Sequence, residues 1–318
     1  MLKNNQPAIS VIVPCYEACM HVSSLIKDLQ SQSFADFEAI FVDDCSKDAT
    51  RVLLEKASQD DDRIVVCGTE RNGGAGAARN VGLNISRGRY VAFVDVDDSI
   101  SANYLEHLLE SAERNAADVV QGAVSVSQDD FYFNPYGSLP EYVLEKDELV
   151  AGYLDHAYSV SVWGKLFSAD LARSVKYPEI RLNEDFFYLW EICKKAGRLS
   201  FAPDAVYTYN LRSGEHASLA FDESLSMIDY LDVVKRDSVG TSYEQAAERH
   251  IVGGIVHTAC MLLDNLKSFD VDYIHEAGCK LKRASVGLPD SSSMAFLVPE
   301  CGLSVSALLG NVMTAAAE

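Results

Sequence analysis

The chain contains no run of about 20 uninterrupted apolar residues, so no transmembrane helix is expected. Met1 to Ala8 is polar and the apolar run after it is only a strand's length, which argues against a signal peptide. Positive charge is scarce: 27 basic against 47 acidic residues leave a net charge of −20. That balance argues against nucleic acid, whose phosphates call for clustered Lys and Arg. It also disfavours broad adhesion to anionic lipid, and only Lys280-Leu281-Lys282-Arg283 offers a local patch for peripheral membrane contact. The eight cysteines form no compact framework. Cys15 and Cys19 lie close, but no Cys or His pair follows at zinc spacing, so reduced thiols in the cytoplasm are expected. No internal repeat or low-complexity linker is present.

What remains is a chain of 318 residues, 48% hydrophobic and 23% charged, the composition of a globular protein with one large or two smaller domains. It is organised around Arg89-Tyr90-Val91-Ala92-Phe93-Val94-Asp95-Val96-Asp97-Asp98. Val91 to Val94 has the apolar continuity of a strand buried on both faces. It leads directly into three carboxylates. In an extended segment Asp95 and Asp97 would share one side, where they repel unless a cation or ligand donors sit between them. Oxygen donors of this kind suit Mg²⁺ or Mn²⁺, which bridge protein carboxylates to a substrate's phosphates. A solvated acidic turn is the plainer alternative.

Around this stretch, short β-branched runs alternate with amphipathic helices. Ile9 to Val13 is a first strand stopped by Pro14, and Val22, Leu25, Ile26 and Leu29 mark a helix. Glu38 to Val42 is a strand ending in Asp43-Asp44, and Ser46 or Asp48 caps the next helix. Arg63 to Cys67 is a strand, after which Gly73-Gly74-Ala75-Gly76 opens a helix to about Ile85. Ser101 caps a helix bearing Leu105, Leu108 and Leu109, and Val119 to Val126 is another strand. This alternation predicts an α/β fold, a mostly parallel sheet with helices on both faces. Ligands of such sheets bind beyond the carboxyl ends of the strands. Pro14-Cys15-Tyr16, Asp43-Asp44 and Asp95 to Asp98 should therefore line one crevice.

Further on, Asp129 to Pro140 reads as a loop near the site, and Trp163 to Phe167 precedes a helix. Asn183-Glu184-Asp185 starts another helix, ended by Gly197, and Phe201 to Asn210 looks like an edge strand or hairpin. Helical periodicity then dominates, giving a catalytic domain over 1–220 and a helical appendage over 221–318. Several features have plain structural readings. Gly74-Ala75-Gly76 lacks the third glycine of a dinucleotide fingerprint, so its glycines serve close packing or phosphate contact. Glu184 and Asp185 suit a helix dipole. His216 reads as a surface-loop residue, and His250 and His257 as packing residues.

Taken together, the motifs resemble glycosyltransferase family 2, inverting nucleotide-sugar transferases of the GT-A fold, over residues 8–218. The matching pieces are Ser10-Val11-Ile12-Val13-Pro14-Cys15-Tyr16, Gln32 to Glu38, Phe41 to Asp48, Asn72 to Gly82, Asp95 to Asp98, Lys165-Leu166-Phe167 and Glu184-Asp185. The resemblance implies that Pro14, Tyr16, Asp43 and Arg79 contact the nucleoside, usually uridine, with Glu17, Asp44 and Asp95 on the same nucleotide side. Asp95 and Asp97 would form the family's DxD and hold Mn²⁺ or Mg²⁺, with His216 as a third ligand. Asp185 would be the general base, and Asp98, Lys165 and Glu184 would belong to the donor and acceptor pocket. Glu17, Cys19 and Cys45 depart from the family's usual asparagine, glutamate and glycine. The implied reaction moves a sugar from a nucleotide-sugar to a hydroxyl of a saccharide or lipid-linked saccharide in surface polysaccharide assembly. Rival readings are a sugar-1-phosphate nucleotidyltransferase and a non-catalytic binder of the same fold. The apolar segment Met294 to Met313 is interrupted by Pro299, Glu300 and Gly302, so peripheral attachment or self-association through the C-terminal helices is expected, not membrane spanning.

Overall fold

The protein is described by a computed structural model covering residues 6–128, 131–133, 141–211, 220–264 and 271–286. Its contacts group the chain into two compact units, residues 1–213 and 214–318. His216, the Met294 to Met313 segment and most of the 129–140 loop lie outside the described residues.

The first unit opens with β1 (Ile9–Cys15), α1 (Val22–Gln30), β2 (Phe37–Asp43), α2 (Thr50–Asp60), β3 (Ile64–Gly68), α3 (Ala75–Ile85) and β4 (Tyr90–Phe93). Strands β1 to β4 run parallel, in the order β3-β2-β1-β4. The chain continues through β5 (Ser99–Ile100), α4 (Tyr104–Asn115), β6 (Val119–Gln128), β7 (Phe131–Phe133), β8 (Val143–Glu145), α5 (Asp147–Leu154), β9 (Lys165–Ser168), α6 (Ala169–Arg173), α7 (Glu184–Lys195) and β10 (Arg198–Leu211). Eight of the sheet's ten strands lie in the order β3-β2-β1-β4-β9-β6-β10-β5, while β7 pairs with β6 and β8 with β10. β9 is antiparallel to both β4 and β6, whereas β10 is parallel to β6. The sheet is therefore mixed, α/β, with a parallel half formed by β1 to β4.

Burial explains the apolar runs. Val91, Ala92, Phe93 and Val94 are fully buried because helices cover both faces of the sheet at β4. On one face Val11, Val13, Ala39 and Phe41 pack with Leu25, Leu29, Leu105 and Leu108. On the other, Ile40 and Val42 meet Ala78 of α3.

Several local expectations are corrected. β1 does not stop at Pro14 but runs on to Cys15. Val94 N donates to Ile12 O, so Ile12 faces β4, and Pro14, two residues on, faces the same way. The β1–β4 ladder has ended at Ile12, so the missing proline N–H costs no ladder bond. Trp163 to Phe167 does precede a helix, as expected: Lys165–Ser168 forms strand β9, and α6 starts directly after it at Ala169. The segment 201–210 is neither edge nor hairpin: it belongs to the 14-residue strand β10, held between β6 and β5. Part of the 129–140 loop, Phe131–Phe133, is a strand paired with β6. Ser101 does not cap α4 with its side chain; its hydroxyl accepts Val206 N instead.

The second unit consists, among the described residues, of α8 (Ala220–Ser238), α9 (Glu244–Asp264) and α10 (Val271–Ser285). Ile228, Leu231, Val234, Ile251, Ile255, Ile274 and Leu281 form its buried face. His250 is buried there with its Nε2 3.2 Å from the Tyr230 hydroxyl, whereas His257 is exposed.

Candidate functional site

Strands β1, β2 and β4 end side by side, and the residues expected to line a crevice follow them. Tyr16 is 45% exposed beyond β1, next to the half-buried Pro14. Glu17 follows with a left-handed φ of 48° and is also exposed. Its backbone N–H donates to Ser46 Oγ and that of Ala18 to Thr50 Oγ1, tying the β1–α1 loop to the β2–α2 loop. Asp43 ends β2 and accepts Ser46 N. Cys45, which stands where the family commonly has glycine, has φ 62°, the backbone region that favours glycine.

Asp44 turns out to have a different place from the one expected. It is 3% exposed, and its carboxylate accepts Gly73 N, Gly74 N (2.7 Å) and Thr69 Oγ1 (2.5 Å). Gly74 can present its N–H this way because its φ is 84°, a conformation that strains other residues. The amide cradle at the start of α3, a geometry suited to a phosphate, is thus filled from inside by a carboxylate.

The acidic stretch is also rebuilt. β4 ends at Phe93, so strand alternation does not orient Asp95 and Asp97. They sit instead on a turn in which Asp98 N donates to Asp95 O at 3.2 Å. This turn is bolted to β10. Tyr207 Oη donates to Asp98 Oδ2 at 2.6 Å and accepts Asp95 N at 3.1 Å. Asn210 N donates to Asp98 Oδ1, and Asn210 Nδ2 donates to Asp97 O. Asp98 is therefore an internal anchor, not a pocket residue, and only 4% exposed. Burial, with repulsion from Asp95, pushes its carboxyl up to about 8 against the pull of the Tyr207 hydrogen bond. Asp95 and Asp97 remain half-buried at the crevice.

Arg79, expected to reach toward a nucleoside, is 3% exposed and faces inward. Its Nη2 donates to Asp95 Oδ1, and its Nη1 donates to both Glu184 Oε1 and Asp185 Oδ1, each at 2.8 Å. Residues 79, 95 and 184–185 thus meet around one guanidinium. Gly76 permits this approach, since a Cβ there would lie 3.0 Å from Glu184 Cγ. Asn80 fastens the same region by exchanging two hydrogen bonds with the Tyr177 backbone.

Burial alone would lower the Arg79 pKa, but the charges of Asp185 and Asp95 more than offset it. Glu184 is pushed up to about 7 by burial and by Asp185, with Arg79 pulling down. Asp185 is raised by burial and by Asp95's charge, again against Arg79. Glu184 and Asp185 open α7, so the favourable dipole contact expected of them is also met. Asp185 Oδ2 additionally faces Val162 N at 3.4 Å.

Lys165, expected in the pocket, is fully buried beneath it, with Nζ donating to Ser159 O and Ser161 O. Residues that sequence reasoning missed are Tyr207, Asn210 and Trp163. Trp163 stacks on Tyr207 and Tyr209 at centroid distances of 4.9 and 5.3 Å. The alternation of Tyr207 and Tyr209 was the available signal.

Among the described residues no three His, Cys, Asp or Glu side chains converge as a ready-made cation cage. Asp95 and Asp97 nevertheless fit a divalent cation such as Mn²⁺ or Mg²⁺. Such an ion commonly takes one or two protein carboxylates and completes its shell with water and substrate phosphates. Asp95 offers a second carboxylate oxygen besides the one that Arg79 holds.

A sequence profile described as Glycosyl transferase family 2 matches residues 10–170. Glycosyltransferase GlyA of Streptococcus pneumoniae is 30% identical over 65% of this chain, a match spanning only 31% of that protein's length. The putative teichuronic acid biosynthesis glycosyltransferase TuaG of Bacillus subtilis is 32% identical over 61% of this chain and 75% of its own. Among solved structures, Staphylococcus aureus TarS in complex with UDP-GlcNAc superposes with a TM-score of 0.71 at 21% identity. That match covers 97% of this chain and 90% of TarS, a likeness of fold. The expected GT-A architecture is thereby met.

Proposed function

This chain belongs to glycosyl transferase family 2, and from that premise we propose that it transfers a sugar from a nucleoside-diphosphate sugar to an acceptor hydroxyl, with inversion. The observation that carries the reading is the Arg79 cluster, which gathers Asp95, Glu184 and Asp185 at one end of the sheet. Asp95 and Asp97 are assigned to the donor's diphosphate through a divalent cation, and Asp185 to the acceptor. When bound, that cation supplies positive charge for the leaving nucleoside diphosphate.

Asp185 takes the proton of the acceptor hydroxyl as its oxygen bonds to the anomeric carbon. The bond from that carbon to the diphosphate breaks, and the electron pair leaves with the nucleoside diphosphate. A single displacement inverts the anomeric centre, so α-linked donors give β-linked products. The upward push on Asp185 from its buried setting suits a base, because proton affinity moves toward the working pH. Arg79 keeps the carboxylate oriented while it does so. Exposed Tyr16 and the half-buried Pro14 flank the nucleoside, with Asp43 behind them.

We assign the donor to the UDP-sugars and its sugar to the hexoses or N-acetylhexosamines; TarS, of like fold, is solved with UDP-GlcNAc. The acceptor is assigned to the saccharides of bacterial surface polymers, lipid-linked or free, in keeping with the names of the relatives. Among the described residues no helix is long and apolar enough to cross a membrane. We assign contact with a lipid-linked acceptor to the cytoplasmic face, as a peripheral encounter.

Replacing Asp185 tests the assignment. Asparagine preserves shape and helix-terminal polarity but accepts no proton, so Asp185→Asn should bind UDP normally with Mn²⁺ and lose transfer by about 10²–10⁴-fold. Transfer near the wild-type rate would return Asp185 to the role of a helix-terminal carboxylate. Undiminished wild-type transfer in excess chelator would remove the cation from the reading.

A further inference from the structure

The turn before β9 is unusual in running inside the protein, since Ser159 is 1% exposed and Val162 fully buried. Connecting segments normally stay at the surface because buried carbonyls lose their water partners. Here two such carbonyls have found one amine: Lys165 Nζ takes Ser159 O at 2.7 Å and Ser161 O at 2.6 Å. Ser161 N closes the turn on Ser159 Oγ at 3.2 Å. The next residue, Val162, directs its N–H at Asp185 Oδ2. Asp185 is thus met at one oxygen by Arg79 and at the other by the Val162 backbone amide.

We propose that Lys165 is a positioning residue: by clamping the Ser159 and Ser161 carbonyls it fixes the turn whose Val162 amide orients the Asp185 carboxylate. The clamp acts on the proton acceptor assigned above and so rests on that reading for its catalytic meaning, but its structural link is measurable without turnover. A role in stability alone would leave Asp185 unaffected when the amine is removed. A clamp makes the two inseparable. Burial pushes the Lys165 amine down to about 7, with Cys193 and Asp185 opposing. Even the uncharged amine has two N–H bonds, one for each carbonyl.

The groups facing Asp185 are Arg79, Asp95, Lys165, Tyr177, Tyr188 and Val162 N, and Glu184 shares the Arg79 guanidinium. Of these, Arg79, Val162 N and Lys165 favour the ionised carboxylate, and Asp95 opposes it. Lys165→Met keeps the length of the side chain and removes its donors. It should raise the Asp185 carboxyl pKa, through loss of the Val162 hydrogen bond and of the nearby amine. Lys165→Arg, which keeps a donor, separates the two contributions and should recover part of the shift.

The experiment is a pH titration of the Asp ¹³Cγ signals of the full chain, with Asp185 assigned by Asp185→Asn, alongside donor kinetics. The clamp is supported if the Asp185 titration moves upward in Lys165→Met while UDP affinity stays within about two-fold and kcat falls about 10–100-fold. The acid limb of the rate profile should move upward with it. An unmoved Asp185 titration in folded Lys165→Met overturns the proposal, whether or not the protein transfers sugar. Absence of transfer by the wild type, with the titration shift present, would instead overturn the catalytic reading and leave the clamp standing. Should Lys165→Met not fold, amide exchange in the wild type decides: a protected Val162 amide supports the clamp, and exchange at open-loop rates overturns it.

Discussion

Replacing Arg79 by methionine removes the charge around which the site is assembled while keeping much of the side chain's length. Three carboxylate oxygens lie 2.8 Å from its guanidinium nitrogens. The side chains of Asp95, Glu184 and Asp185 are 26%, 11% and 20% exposed, so solvent replaces little of what is lost. Removing one partner of a buried ion pair costs about 3–5 kcal/mol, because the other charge is left uncompensated. For a unit of this size that corresponds to a fall in Tm of about 6–20 °C.

The loss has a pH signature. Glu184's carboxyl is already raised from 4.5 to about 7 in the folded protein, so between those values the folded state holds a proton that the unfolded chain releases. Stability from this group therefore falls as pH rises through that window. Without Arg79, whose charge pulls Glu184 and Asp185 downward, the window extends to higher pH. The variant's deficit should thus be larger at pH 8 than at pH 5. Urea unfolding followed by tryptophan fluorescence measures it, since both tryptophans, Trp163 and Trp190, lie in the first unit. A deficit below about 1 kcal/mol at pH 8 would refute the reasoning. So would one that fails to grow between pH 5 and pH 8.

Asp44→Ala leaves Gly73 N, Gly74 N and Thr69 Oγ1 without their acceptor, and should cost about 1–3 kcal/mol. Asp44→Asn retains an acceptor oxygen and should lose less; equal losses in thermal unfolding would argue against the cradle. Tyr207→Phe removes the hydroxyl shared by Asp98 and the Asp95 amide, and should also cost about 1–3 kcal/mol. It should raise the Mn²⁺ concentration needed for half-maximal transfer as well, because the Asp95–Asp98 turn loosens; an unchanged requirement would show that the turn holds without Tyr207.

Residues 9–126 could be read into strands and helices because each element there states its burial in its own residues. Val91 to Val94 needs no distant partner to be recognised as a two-sided strand, and the helix bearing Leu25 and Leu29 shows its inward face by spacing alone. Convergence of Pro14, Asp43 and Asp95 followed from the same regularity, since parallel strands place their carboxyl ends together. The motif order was enough to suggest the family.

What each polar side chain touches was settled only by the tertiary structure. Arg79 meets Glu184 across 105 positions, Asp98 meets Tyr207 across 109, and Asp44 meets Gly74 across 30. Periodicity reports whether a position is buried, but not which distant donor compensates a buried carboxylate. Asp98 and Lys165 therefore looked like pocket residues, although one anchors a turn and the other lies beneath it. β10 was misjudged for the same reason, because its polar, tyrosine-rich half reads as an edge when considered alone. It is interior because β5 returns to cover it and because Asp98 supplies the buried partner for Tyr207. Local spacing determined the elements, and long-range pairing of buried polar groups decided which carboxylates remained facing the crevice.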